Sequence, residues 1–453
     1  MVREPDLYSR RKFLASARLV GTAACTGSFL PDAVAALRGE NQAVVISTHE
    51  WLGDIEERLD FPGDWEINVM NMAGHHAALL SPAEIRRAVQ KPLGSRPLRE
   101  IAAGKKTAVV TFDDLSRPTP AYQVAPFVVE ELKAAGLTDE NIVFLTSYGS
   151  HRSMEQDEVA RKLGRELTSR FAWLNHNVFD SLRDVGETSR KNRIKLNRTF
   201  VAAEVKVTIS GIKGHGLAGY GGGAKAILPG IAGIDTIKYN HLTIGENNKA
   251  VALGNIFRNE VRRDMEEAAR LGRADFGVQI VYNGKRQACR VFAGDLVEAH
   301  LAACRMANQH YRTKVLQNAD VVVANAYPET YIATDGLGWI DRSVREGGTG
   351  VLIMQHPQAM FVWNYFHQPG YAGGRDYWER AAQRTRTRRN WQLVVYCQYL
   401  QKQQMNKFPD GTLFASSWND VMNRLLARHK SGGRVAVYPY SPIQHGEIGL
   451  GEP

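Results

Sequence analysis

VKVTISGIKGHGLAGYGGGAKAILPGIAGIDTIKYNH, residues 205–241, is the stretch whose reading decides the fold. Its opening alternates β-branched Val205, Val207 and Ile209 with other residues, which predicts a strand over 205–209. That strand runs straight into five glycines, Gly216, Gly219, Gly221, Gly222 and Gly223, with Lys225 close behind. Glycines remove side chains where a planar or phosphorylated ligand would have to approach the main chain. The run is not a nucleoside-triphosphatase phosphate loop, because Ala224 precedes Lys225 and Ala226 follows it. His215 lies ten residues before Lys225 and His241 sixteen after, so one lysine and two imidazoles flank a flexible backbone.

Working outward, apolar runs at 107–112 and 142–146 alternate with helical patterns at 122–135 and 154–167. The alternation predicts an α/β fold with a parallel sheet. Three strand ends then deliver Asp113 and Asp114, His151, and His215. In open α/β sheets ligands bind at those carboxyl ends. A second α/β unit is expected from 314, with strands at 321–326, 351–354 and 393–396 and a helix at 418–427. The expected division is a leader at 1–36, an N-terminal cofactor-binding domain at 37–313 and a C-terminal domain at 314–433. A strand and tail at 434–453 would close the second domain or return to the first, with the active-site cleft between the two.

The chain has 453 residues, 44% of them hydrophobic and 23% charged, enough for two real cores. Its net charge of +10 is dispersed. The densest basic cluster, Arg384, Arg386, Arg388 and Arg389, lacks interleaved aromatics and reads as a solvated helix face, so nucleic acid is not an expected partner. A positive field also gathers small carboxylates. The four cysteines, Cys25, Cys289, Cys304 and Cys397, form no CxxC pair, so any transition metal would need histidine or non-protein ligands. No run of 18 apolar residues appears, which argues against a membrane span in the mature protein. Ser9-Arg10-Arg11-Lys12-Phe13-Leu14, an apolar segment over 19–30 and Ala33-Val34-Ala35 resemble a twin-arginine export signal. That implies passage through the twin-arginine machinery to the periplasm; the alternative is the basic amphipathic start of a cytoplasmic protein.

Asp114 and Arg117 sit on a loop whose Pro118 and Pro120 bar a helix from starting before about residue 121. Arg117 suits bidentate binding of a carboxylate or phosphate, or it ties the loop down through Asp114. His151 and His215 could serve as paired acid and base, while His75, His76 and His176 read as structural. Lys225 could form a Schiff base, hold a phosphate or stand in solvent.

Together, Asp114-x-x-Arg117-Pro118-Thr119-Pro120, Gly149-Ser150-His151-Arg152, His215 with 219–225, Pro229-Gly230 and Asn240-His241 resemble the nickel-dependent lactate racemase family in order and spacing. The likeness extends upstream through 80–95 and fades beyond about residue 330. It implies nickel held by a pyridinium-3-thioamide-5-thiocarboxylic acid mononucleotide, a nickel-pincer nucleotide, tethered covalently to Lys225 and made by cytoplasmic assembly proteins. In the same resemblance His241 matches the protein's nickel ligand, and His151 and His215 match the acid/base pair. Asp114 and Arg117 match residues that position cofactor and substrate, beside Gly221, Gly222 and Gly223. The implied reaction is racemisation or epimerisation of a small 2-hydroxy acid by reversible hydride transfer through a flat 2-keto acid. Two departures bear on the substrate. Ile340 and Ser343 stand where the family carries a glutamine and a lysine, leaving Trp339 and Arg342 as candidate substrate contacts, with Arg342 or Arg345 to replace the lost cation and room for a larger 2-hydroxy acid, and Gly221 replaces a usual serine. The alternatives are a non-catalytic organic-anion-binding protein of the same fold and a pyridoxal-phosphate enzyme using Lys225.

Overall fold

The computed structural model describes residues 41–245, 248–332, 335–358, 390–405, 408–430 and 432–451. The leader, Cys25 and the cluster from Arg384 to Arg389 lie outside these residues. Two six-stranded sheets carry the fold. The first runs, edge to edge, Ala288–Gly294, Phe276–Tyr282, Val205–Gly211, Ala108–Phe112, Ile142–Thr146 and Ala172–Leu174. All its pairs are parallel except the first, which is antiparallel. Every residue of Ala108–Phe112 and of Phe276–Tyr282 is buried, as expected of central strands covered on both faces.

The second sheet is parallel throughout, in the order Leu413–Ala415, Gln392–Tyr396, Val344–Ile353, Ala319–Asn325, Arg434–Tyr438 and Glu66–Val69. Its last strand corrects the expected division at residue 37. Glu66–Val69 pairs with Arg434–Tyr438, and the hairpin of Gln42–Thr48 with Ile55–Phe61 buries Val44, Ile46, Leu59 and Phe61 against Val321, Val351 and Val435. The described residues therefore contribute to the second unit before they build the first. The apolar face of that hairpin had no other core to cover it.

The final segment does both things left open. Arg434–Tyr438 closes the second sheet, and the tail then returns to the first unit, where Ile443 and Leu450 pack with Tyr220, Ile256 and Tyr311. The Ile256 amide donates to the Leu450 carbonyl at 2.9 Å. Elsewhere the expected helix at 154–167 is broken at Gly164, whose φ of +87° ends Gln156–Leu163 before Arg165–Arg170 begins. The helix after the Pro118/Pro120 loop starts at Ala121. No helix among the described residues is long and apolar enough to cross a membrane.

Candidate active site

The loop after Ala108–Phe112 is tied down from three sides. Asp113 accepts from Thr119 Oγ1 at 2.6 Å and from the Gly211 amide at 3.3 Å, joining two strand ends. Lys162, fully buried, reaches Asp113 at 2.7 Å and donates to the Arg117 carbonyl at 2.6 Å. The loop's functional side chains thus project from a fixed backbone.

Asp114 accepts from Ser116 Oγ at 2.6 Å and from His151 Nδ1 at 2.9 Å. Burial alone would raise its pKa, but His151, and after it Arg117, hold it down to about 2. A carboxylate can only accept, so His151 Nδ1 carries a proton, and in the neutral ring Nε2 is the nitrogen with the lone pair. His215 is oriented the other way. Its Nδ1 accepts from the Leu217 and Ala218 amides, each at 3.2 Å, which leaves the proton on Nε2. The residues expected to act as a pair therefore begin in opposite tautomers, one presenting a lone pair and the other an N–H.

Lys225 lies on the single turn Gly223–Ala226, and His241 on the π-helical segment Tyr239–Ile244. Asn240 pins that segment by donating to Asp264 Oδ2 at 2.8 Å, so its amide anchors the turn that carries His241. Burial, then Arg117, Arg262 and Lys213, push the Lys225 amine well below the ordinary lysine range, against an opposing pull from Asp114. Burial and Lys225 push His241 down to about 3. Burial, then Lys225, Arg117, Lys213 and His241, push His215 well below the ordinary histidine range. The mutual influences bring Asp114, Arg117, His151, His215, Lys225 and His241 into one cluster.

The glycines differ in their reasons. Gly222 and Gly223 hold φ of +71° and +58°, and an added Cβ would strike Ile212 at 2.4 Å and His300 at 2.6 Å. Gly221 needs no such freedom, since its Cβ would meet the Gly211 carbonyl at an ordinary 3.4 Å. A serine there would fit, so its absence removes a hydroxyl without relieving a clash.

From the second unit, a short turn, Thr330–Ile332, brings in Tyr331. Arg117 Nη1 donates to the Tyr331 hydroxyl and lies 3.6 Å from Glu329 Oε2, which is ion-paired with Lys213. Arg117 Nε and Nη2 have no hydrogen-bond partner among the described residues, which leaves one edge of the guanidinium for a carboxylate. The Tyr331 ring also stands edge-on to His151 at 5.7 Å.

Trp339 and Arg342 are not brought to this cluster as substrate contacts. Trp339 is buried in the second unit's own core, stacked on Tyr438 at 4.5 Å with its indole donating to the Ser441 carbonyl at 3.1 Å. Arg342 is exposed. Ile340 and Ser343 are fully buried, Ser343 on the Tyr438 hydroxyl at 2.7 Å, so the helix Asp335–Ser343 spends its apolar face on the sheet. Sequence reasoning missed Lys213, Glu329 and Tyr331. The last two follow Ala319–Asn325, and the strand-end rule applied to the first sheet would have found them.

Among the described residues no three His, Cys, Asp or Glu side chains converge on a metal site, so a metal beside His241 would need ligands from outside the protein. Residues 52–252 match the family described as lactate racemase N-terminal domain. Two relatives named lactate racemase align: one from Lactiplantibacillus plantarum, 27% identical over 292 residues, 63% of this chain and 68% of that protein; one from Thermoanaerobacterium thermosaccharolyticum, 27% identical over 291 residues, 62% and 68%.

The chain is a homologue of the lactate racemases.

These relatives are, by name, isomerases. The α/β fold with mainly parallel sheets agrees with the solved lactate racemase apoprotein from T. thermosaccharolyticum, at a TM-score of 0.67 and 21% identity, over 90% of this chain and all of that one. A Thermotoga maritima protein matches at a TM-score of 0.59 and 16% identity, over 82% and 98%.

Proposed function

We propose that the protein is a racemase or epimerase of a small 2-hydroxy acid, lactate being the first substrate to test, and that it uses a nickel-pincer nucleotide tethered to Lys225. The observation that carries this reading is the convergence of two oppositely oriented histidines, an amine pushed well below its ordinary range and an imidazole kept neutral around one open guanidinium edge. The donor set fits the cofactor: metal ligation needs a neutral imidazole at His241, and covalent attachment needs a neutral amine at Lys225.

When bound, the cofactor would supply an acceptor for the hydrogen on the substrate's C2. Every other task falls to the chain. Arg117 holds the substrate carboxylate through Nε and Nη2 while Tyr331 occupies Nη1. His151 Nε2 takes the hydroxyl proton, and Asp114 stabilises the imidazolium that results. His215 Nε2–H donates to the oxygen from the other side. Return of hydrogen to either face of the flat keto acid then scrambles the configuration with no net redox change.

The test is the intact mass and nickel content of protein from a host that makes the cofactor, with peptide mapping across Lys225 and a racemisation assay on the L and D acids. A nucleotide-sized adduct on Lys225, stoichiometric nickel and interconversion are expected. Unmodified, metal-free protein that binds but does not convert hydroxy acids would instead support an organic-anion-binding protein. The pyridoxal-phosphate reading gives His241 no task. The Arg10-Arg11 leader adds an exported location to the proposal, to be checked by cell fractionation.

A further inference from the structure

Six consecutive carbonyls of the glycine-rich run, from Leu217 to Gly222, each accept a hydrogen bond from a named donor. Asn259 Nδ2 reaches Leu217 at 3.0 Å, the Gly254 amide reaches Gly219 at 2.9 Å, and His300 Nε2 reaches Gly221 at 2.9 Å. The remaining three go to one side chain. Arg262 donates from Nε to Ala218 at 3.1 Å, from Nη2 to Tyr220, and from Nη1 to Gly222 at 3.1 Å.

Arg262 is an unusual residue to find there. It is 1% exposed, on the helix Glu260–Leu271, and among the described residues it forms no ion pair. Burying an ion without a counter-ion is costly unless hydrogen bonds replace its water, and here three peptide carbonyls do so. Only a planar fork of rigid donors spans alternate carbonyls in this way; an ammonium on a flexible stem cannot. The Gly222 and Ala224 amides, by contrast, have no hydrogen-bond partner among the described residues.

We propose that Arg262 is a positioning residue that holds the run as a preformed seat for the cofactor, turning its carbonyls onto protein donors and leaving the Gly222 and Ala224 amides available beside Lys225. Its charge, delivered through the run from behind, adds to the positive potential at Lys225 and favours an anionic nucleotide on the ligand side. The cofactor part of this inference rests on the function proposed above; the ordering of the run does not.

The test compares wild type, Arg262→Ala and Arg262→Lys by amide hydrogen exchange without cofactor, and by the mass of the Lys225 adduct after production alongside the cofactor-assembly proteins. In Arg262→Ala, exchange should quicken at least about 100-fold across 217–225 while both sheets stay protected. Adduct occupancy should fall at least about tenfold, and millimolar methylguanidinium should restore both properties where methylammonium does not. Unchanged protection in the run, unchanged occupancy where the wild type carries the adduct, or protection lost across both sheets would overturn the proposal. If Arg262→Ala does not fold, Arg262→Lys decides: it keeps the charge without the fork, and wild-type behaviour in it would overturn the proposal equally. A wild type lacking any adduct, with the run loosened selectively in the variant, would sink the cofactor reading and leave the ordering role standing.

Discussion

The first and second sheets are each six-stranded and largely parallel, yet the carboxyl ends of their strands are put to different uses. Those of the first deliver Asp114, Arg117, His151 and His215 into one cluster, together with Lys225 and His241. Among the described residues, those of the second deliver the turn carrying Glu329 and Tyr331 and the Pro442 carbonyl that accepts from Lys213, and the helix that follows the turn is packed inward on its own sheet. What separates them is local. Paired prolines and glycines break the first unit's connections into short loops pinned by buried ion pairs, whereas Asp335–Ser343 satisfies its apolar face on Tyr438 and Leu352 and keeps little to offer a ligand.

The sharpest way to break that contrast is Lys225→Ala, which should lower racemisation by at least about 10^4-fold and abolish nickel retention, measured together on one preparation. Substantial activity in this variant would remove the reason for placing the chemistry on the first unit. His151→Ala and His215→Ala should each cost about 10^2 to 10^4-fold while nickel stays bound. Loss of metal in either would mean that they shape the cofactor seat instead. Arg117→Lys, which keeps charge but not the fork, should raise KM and lower kcat/KM by about 10 to 100-fold.

Smaller effects sharpen the comparison. Trp339→Phe should lower stability by about 1 kcal/mol through the lost indole hydrogen bond, and Arg342→Ala should change kcat/KM by less than about twofold. A tenfold loss of kcat/KM on Arg342→Ala, with stability intact, would return the helix to the substrate. His176 makes a structural counterpart to the site histidines. Burial pushes its pKa down to about 4, with a partial offset from the Ala232 carbonyl, so it stays neutral in the fold while the unfolded chain takes up its proton near the ordinary 6.5. A depressed histidine of this kind removes stability as the pH falls from about 6.5 towards 4, by up to about 1.4 kcal/mol per unit. Urea unfolding at pH 7 and pH 5 should show that slope reduced by roughly one proton in His176→Gln.

Much of this was legible in the residues. The strands at Ile142–Thr146 and Arg434–Tyr438 fall where apolar β-branched runs put them, and the helix at Ala121 starts where Pro118 and Pro120 permit. Those signals are local, so a sequence carries them whole. Pairing between distant segments leaves no such mark. Nothing in Glu66–Val69 says that its neighbour is Arg434–Tyr438, and nothing in Asp335–Ser343 says which face of the helix the sheet will claim.

By itself, then, the sequence determined the α/β class, the strand-end loops and the set of groups offered for chemistry, because periodicity, proline and glycine act over a few residues at a time. The tertiary structure alone decided which nitrogen of each histidine keeps its lone pair, that Tyr331 and Glu329 meet Arg117, and that Arg262 lies behind the glycine-rich run. Each of these depends on side chains far apart in the chain whose burial leaves a polar atom one partner to find, and only the folded arrangement fixes which partner that is.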